Sequence, residues 1–344
     1  MRLTLFLFSC FILLSCSEPS ILSQFPASQN MQKPILVGIQ SDSIQDPYML
    51  ECINGKLYFA NLRSKKILSE FDLSLGNHRG GFLNRGNSPN DFQFLTNMYR
   101  FDNSLTLWDS SSSTLSFIDP SNHSIERKIK ISPNASLLSP FQVMPISDRR
   151  LIATGILSKG RVALLDEIGK ELFVFGTYPK EDKGREYTHT ENAFAYQSHA
   201  AYQSKKNRLV LGAYWGESIV FYDLSDNNNP KQIKEYIYSY PKYTDNSDNS
   251  QSSVKFKKGN ISGFIDIKAS SKYCVCLYSG EPYYAGEEYG GDKILMFDWE
   301  GNPVKYIKLD KKYSNLAVSE ETQEAILIGT DPKTLEYVVA KVEL

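Results

Sequence analysis

Residues Asp292 to Asp310 read DKILMFDWEGNPVKYIKLD, and this stretch decides the fold. Two apolar runs flank Trp299-Glu300-Gly301-Asn302-Pro303, a pattern that predicts a β-hairpin. A lone hairpin is marginal in water, so the unit must be part of something larger. Just upstream, SKYCVCLY supplies another strand, and the same scheme recurs along the chain. It is visible in NSLTLWDSSSSTLSFIDPSNHSIERKIKIS, in DRRLIATGILSKGRVALLDEIGKELFVFGTY and in KNRLVLGAYWGESIVFYDLSDNNNPKQIKEYIYSY. Convincing helical periodicity is nearly absent.

The units share an apolar anchor at Leu57, Leu105, Leu151, Leu209, Val275 and Ile326, spaced about 45 to 65 residues apart, the period of propeller blades. Each unit is a small antiparallel meander, and radial stacking is one way to bury both of its faces. One further strand should precede each anchor, nearest the axis: PYMLECI, FLTNMYRF, PFQVMPIS, AYQSHAAYQ, GFIDIKAS and NLAVSEE. The last unit is one strand short, while KPILVGIQ is one strand too many at the start. The chain is therefore read as all-β, a single six-bladed β-propeller over residues 34–344, with the N-terminal strand completing the last blade. A set of β-sandwich domains is the competing architecture.

The N-terminus reads MRLTLFLFSCFILLSCSEPS. Arg2 precedes an apolar run too short to span a bilayer, the layout of a secretory signal. Leu13-Leu14-Ser15-Cys16 resembles a bacterial lipobox, which makes Cys16 the lipidation residue, residues 1–15 the signal peptide and 16–33 a tether. The implied partner is a membrane, reached through acyl chains. Of the five cysteines, Cys52, Cys274 and Cys276 remain in the body; the odd count is no disulfide framework, so buried free thiols are expected. A formal net charge of −1 gives no basic footprint for nucleic acid.

The loop RGNSPNDF, Arg85 to Phe92, resembles a Gly-x-Gly-Pro-x-Glu-Phe loop of TolB-like six-bladed propeller lipoproteins of Bacteroidota. Gly86, Pro89, Asn90 and Phe92 fit; Ser88 stands in place of a glycine and Asp91 in place of the glutamate. FDWEGNPVKYIKLD and TDPKTLEYVVAKVEL are also similar to that family's last two blades. The resemblance implies a propeller and an envelope address, without an agreed chemistry.

Candidate sites are sparse. His189, Glu191 and His199 in HTENAFAYQSHA are the best metal candidates, yet their spacing fits no known ligand pattern, so no metal or cofactor is expected. Nor is there a nucleophile elbow or a phosphate loop between strand and helix. For ligand binding the candidates are Gln197 and His199 near the axis, Arg79 and Arg85 as forked donors, and Tyr283, Tyr284 and Tyr289 in the acidic, aromatic loop GEPYYAGEEYGGDK. YTDNSDNSQSSVKFKKGN reads as a solvated insertion. The expected role is binding a protein, peptide or glycan of the cell envelope. Two alternatives stay open: a lyase or hydrolase working near His199, and a structural subunit of an envelope complex.

Overall fold

The strand Lys56–Asn61 shows how the sequence builds a ring. Successive side chains of a strand point to opposite faces. Here both faces are apolar: Leu57 and Phe59 pack against one neighbouring sheet, Tyr58 and Ala60 against the other. Such a strand needs a partner sheet on each side. The same holds for Cys274–Tyr283, where Val275 and Leu277 face one neighbour and Cys274, Cys276 and Tyr278 the other.

The computed structural model of the protein describes residues 20–26, 35–37, 45–134, 136–181, 187–226, 228–245, 254–284, 289–331 and 333–344. They form six four-stranded antiparallel sheets, arranged as the blades of a propeller, and one two-stranded hairpin. The innermost strands are Pro47–Ile53, Leu95–Phe101, Leu137–Ser147, Ser198–Gln203, Asn260–Ala269 and Asn315–Ser319. These are the six segments expected nearest the axis. The last blade combines Asn315–Ser319, Glu324–Thr330 and Tyr337–Glu343 with Ile35–Val37, in a register that sets Ile35 opposite Lys341 and Val37 opposite Val339. The ring is closed by the N-terminal strand, as the strand count required. An apolar cluster fills each of the six joints between neighbouring blades, so the core is distributed around the ring.

The hairpin around Trp299 is the outer half of blade 5, Gly291–Phe297 and Pro303–Tyr313. Its turn is locked by Asp298: the Gly301 N–H donates to its carbonyl at 3.0 Å and the Asn302 N–H to its carboxylate at 2.8 Å. Gly301 has φ of 80°, and a Cβ there would lie 2.8 Å from Cβ of Lys234 in blade 4, so both backbone and space call for glycine. Trp299 is fully buried and donates its indole N–H to the Ser270 carbonyl at 3.1 Å.

The loop Arg85–Phe92 is a joint. Phe92 is buried in the cluster between blades 1 and 2, and the Ser88 N–H donates to the Asp91 carboxylate at 3.0 Å. Arg85 spends its guanidinium on the carbonyls of Ser64, Gln93 and Asn61. These residues hold two blades together. Cys52, Cys274 and Cys276 are free and buried, as expected.

Three features depart from the sequence reading. A short helix, His189–Ala195, interrupts the connection to blade 4, nucleated by a capping box between Thr188 and Glu191. The stretch read as a solvated insertion forms a hairpin at its ends, Tyr243–Asp245 with Val254–Phe256, because Tyr243 is drawn into an aromatic cluster with Tyr196. Within the stretch read as a tether, Ser20–Pro26 is docked on the ring. Its 3-10 helix Ile21–Gln24 places Ile21 in the joint between blades 4 and 5. Phe25 meets Phe297 and Tyr306 edge-on at 5.1 and 5.9 Å. Glu217 fastens this wedge, accepting from Ser20 Oγ at 3.1 Å and, through the same oxygen, from the Tyr278 hydroxyl. The proposed lipobox and Cys16 lie outside the described residues.

Candidate functional site

The innermost strands leave a cavity of about 830 Å³ at one end of the axis. It opens on the face that carries the blade-to-blade connections and the turns between second and third strands. A smaller cavity of about 420 Å³ opens on the opposite face. Tyr99 and Lys268 line both, so they form a floor across the axis.

That floor is ionic. The Lys268 ammonium from blade 5 meets the Glu51 carboxylate of blade 1 at 2.6 Å and the Asp266 carboxylate at 3.9 Å. All three are buried. Burial alone would lower the Lys268 amine; the Asp266 and Glu51 carboxylates more than offset that and hold it above its usual range. Asp266 goes the other way. Burial raises its carboxyl to about 6, despite Lys268 and despite accepting the N–H groups of Leu316 at 3.0 Å and Ile267 at 2.8 Å.

His199 stands beside this cluster, its Nδ1 3.9 Å from Asp266 and its ring 4.2 Å from that of Tyr214. Its side chain is only 22 % exposed. Burial, then the Lys268 charge, push its imidazole down to about 3, so it is neutral at physiological pH.

The effect on stability has a definite sign. Between about pH 3 and 6.5 the unfolded chain protonates this histidine and the folded chain does not, so acid weakens the fold. Asp266 opposes this between about pH 4 and 6, where the folded chain holds the extra proton. His199→Gln removes the first effect and leaves the second. Its stability relative to wild type should therefore rise by up to about 1.4 kcal/mol per pH unit as pH falls from 6 to 4. Urea unfolding of both chains across that range is the check; a constant difference would contradict a buried, neutral His199.

A second polar network lines the wall toward blade 3. Arg161 is 2 % exposed; its Nη2 donates to Ser198 Oγ at 2.9 Å, and its guanidinium lies 5.6 Å from the Tyr178 ring centroid. Among the described residues its Nη1 finds no hydrogen-bond partner. Gln142 ties the network to the floor, donating to the Ser198 carbonyl at 2.6 Å and accepting from the Tyr99 hydroxyl at 3.1 Å. The cavity thus presents a guanidinium on one side and an ion-pair cluster on the other, with aromatic rings between. Such a surface can orient a polar ligand by several hydrogen bonds at once.

The residues singled out from sequence divide clearly. Gln197, His199 and Tyr289 line the cavity. Tyr283 lies 6.1 Å from Tyr289 and 5.6 Å from Trp215, ring to ring, and Tyr284 stands exposed beside it. Arg85 is on the same face, but its donors are taken by backbone carbonyls. Arg79 is in the outermost strand of blade 1, paired with Asp72 at 3.1 Å near the opposite face, so the two arginines do not converge. Glu191 caps its helix. Among the described residues no group of three His, Cys, Asp or Glu side chains is placed to hold a metal ion.

Sequence reasoning missed Arg161, Gln142 and the Glu51–Lys268–Asp266 cluster. The available signal was charge at positions 51, 266 and 268, inside segments already assigned to the axis.

A comparison with curated proteins gives no significant match. Among solved structures, the chain is similar to a member of the DUF4221 family from Bacteroides vulgatus, at 14 % identity and a TM-score of 0.57, over 89 % of this chain and 97 % of that one. It is also similar to a protein from Bacteroides fragilis described as exported, at 8 % identity and a TM-score of 0.53, over 95 % and 98 %. At these identities the likeness is one of fold. The sequence itself carries the family signature over residues 25–321, and the chain belongs to the TolB-like 6-blade propeller-like family.

Proposed function

We propose that this protein is a cell-envelope binding module, held to a membrane by acyl chains on Cys16, whose axial cavity receives part of a protein, peptide or glycan partner. The observation that carries the reading is the cavity of about 830 Å³ with its converging polar groups, Arg161, Gln142, Gln197 and His199. A space of that size, rimmed by aromatic side chains and floored by a rigid ion-pair cluster, suits recognition of a chain end or a sugar. The lipobox-like Leu13-Leu14-Ser15-Cys16 supports the envelope address.

The test compares wild type with a Gln197→Ala, His199→Leu double variant as baits for detergent-solubilised envelope, with bound material identified by mass spectrometry. A partner held by wild type and reduced at least tenfold by the variant supports the reading. Identical recovery by both chains overturns it.

A further inference from the structure

The N-terminal wedge limits how far an anchor on Cys16 can lie from the ring. Ser20 sits on Glu217, which pairs with Ser239 at the end of blade 4 next to Tyr214, and Tyr214 lines the large cavity. From there the wedge runs toward Phe297 and Tyr306, away from the cavity mouth. Ser20 therefore lies at the cavity face. Cys16 is four residues before Ser20, so its Cα lies within about 14 Å of that of Ser20.

The same face carries an apolar rim around the cavity mouth. Leu62, Phe94, Leu138, Tyr284 and Tyr289 are each 41–49 % exposed there, and all but Tyr284 line the cavity mouth. Trp215 extends the patch, its ring 5.4 Å from Phe256. Lys242, Lys255, Lys257 and Lys258, all exposed, flank Phe256. On the opposite face the exposed Leu75 and Ile168 stand in turns of separate blades, and Leu172 and Phe173 follow Ile168 along the outer edge of blade 3, away from the axis.

We infer that the cavity face is seated on the surface of the bilayer that holds the anchor. Trp and Tyr are the side chains that settle at the level of lipid headgroups, and juxtaposed lysines are attracted to anionic ones. A docked wedge in place of a long free leash keeps this face within reach of the lipid, so a modest apolar patch suffices to orient the ring. The cavity then opens onto the headgroup layer, and its partner is one presented at the membrane surface. This rests on the acylation of Cys16 proposed above.

The two claims separate experimentally. The mass of Cys16 in the protein extracted from its native membrane reports acylation; an unmodified cysteine sinks the anchor. For the face, the chain from Cys16 onward is coupled through that thiol to a maleimide phospholipid in vesicles of phosphatidylethanolamine and phosphatidylglycerol, which supplies the anchor whatever its native state. Amide exchange is compared with the same chain capped and free. Exchange at residues 62–65 and 255–259 should slow at least threefold, with 74–76 and 204–207 unchanged. The Phe94→Asp, Leu138→Asp double variant, altered only at exposed side chains, should lose that protection at an unchanged melting temperature. Protection of the opposite face, equal exchange on both, or protection that survives the double variant would overturn the inference.

Discussion

Lys268→Met is expected to lower stability by about 3–5 kcal/mol at pH 7.5, a large fraction of what a domain has. The ammonium lies between the Glu51 and Asp266 carboxylates, at 2.6 and 3.9 Å. Removing it leaves two buried anions facing each other in a medium that cannot screen them. Lowering the pH should relieve the variant, because Asp266, whose carboxyl burial already raises to about 6 and which loses the lowering influence of Lys268, takes up a proton and the repulsion ends. The triple variant Glu51→Gln, Asp266→Asn, Lys268→Met should return to within about 2 kcal/mol of wild type, since a buried ion cluster is costly to break and cheap to replace whole. Urea unfolding at pH 7.5 and pH 5 measures all of this. If Lys268→Met loses nothing, the floor of the cavity is not held by charge.

The second large effect lies outside the blades. Phe25→Ala should lower stability by about 3 kcal/mol, the usual loss for a buried phenylalanine. Its ring is 7 % exposed and packs edge-on against Phe297 and Tyr306. A chain beginning at residue 27 should lose at least as much, because Ile21 leaves the joint between blades 4 and 5 together with Phe25. Glu217 would keep the Tyr278 hydroxyl but lose Ser20 and the Ile21 N–H. Were residues 16–33 a tether and nothing more, both changes would be silent in thermal unfolding.

The ring was legible because its physics is local. Segments such as Leu105–Trp108 carry both apolar faces and turn residues in their own sequence, and the spacing of the anchors gives the blade count. Closure by Ile35–Val37 was legible from a strand surplus at one end and a deficit at the other. The wedge was not. Ile21 and Phe25 sit among serine, glutamine and proline, and only the gap they fill, made by residues about 180 to 280 positions away, distinguishes them from linker. The cavity was half legible. His199 and Gln197 could be placed on an axial strand by alternation, whereas the Glu51–Lys268 pair joins residues 217 positions apart. Arg79 and Arg85 looked equivalent in sequence; the structure sets them at different ends of the outermost strand of blade 1 and gives each its own partners.

The closing blade has one more consequence. Its outermost strand, Ile35–Val37, precedes every other strand of the ring in the chain, while the strand it pairs with, Tyr337–Glu343, follows all of them. The contact joins residues about 300 positions apart, so the loop-closure entropy is met late, after most of the ring is built. A chain that stops short of Tyr337 keeps the edge of Glu324–Thr330 unpaired and the strand Ile35–Val37 without a home. Closure of the ring thus waits on that strand, and a ring made without it presents an open blade edge to other chains.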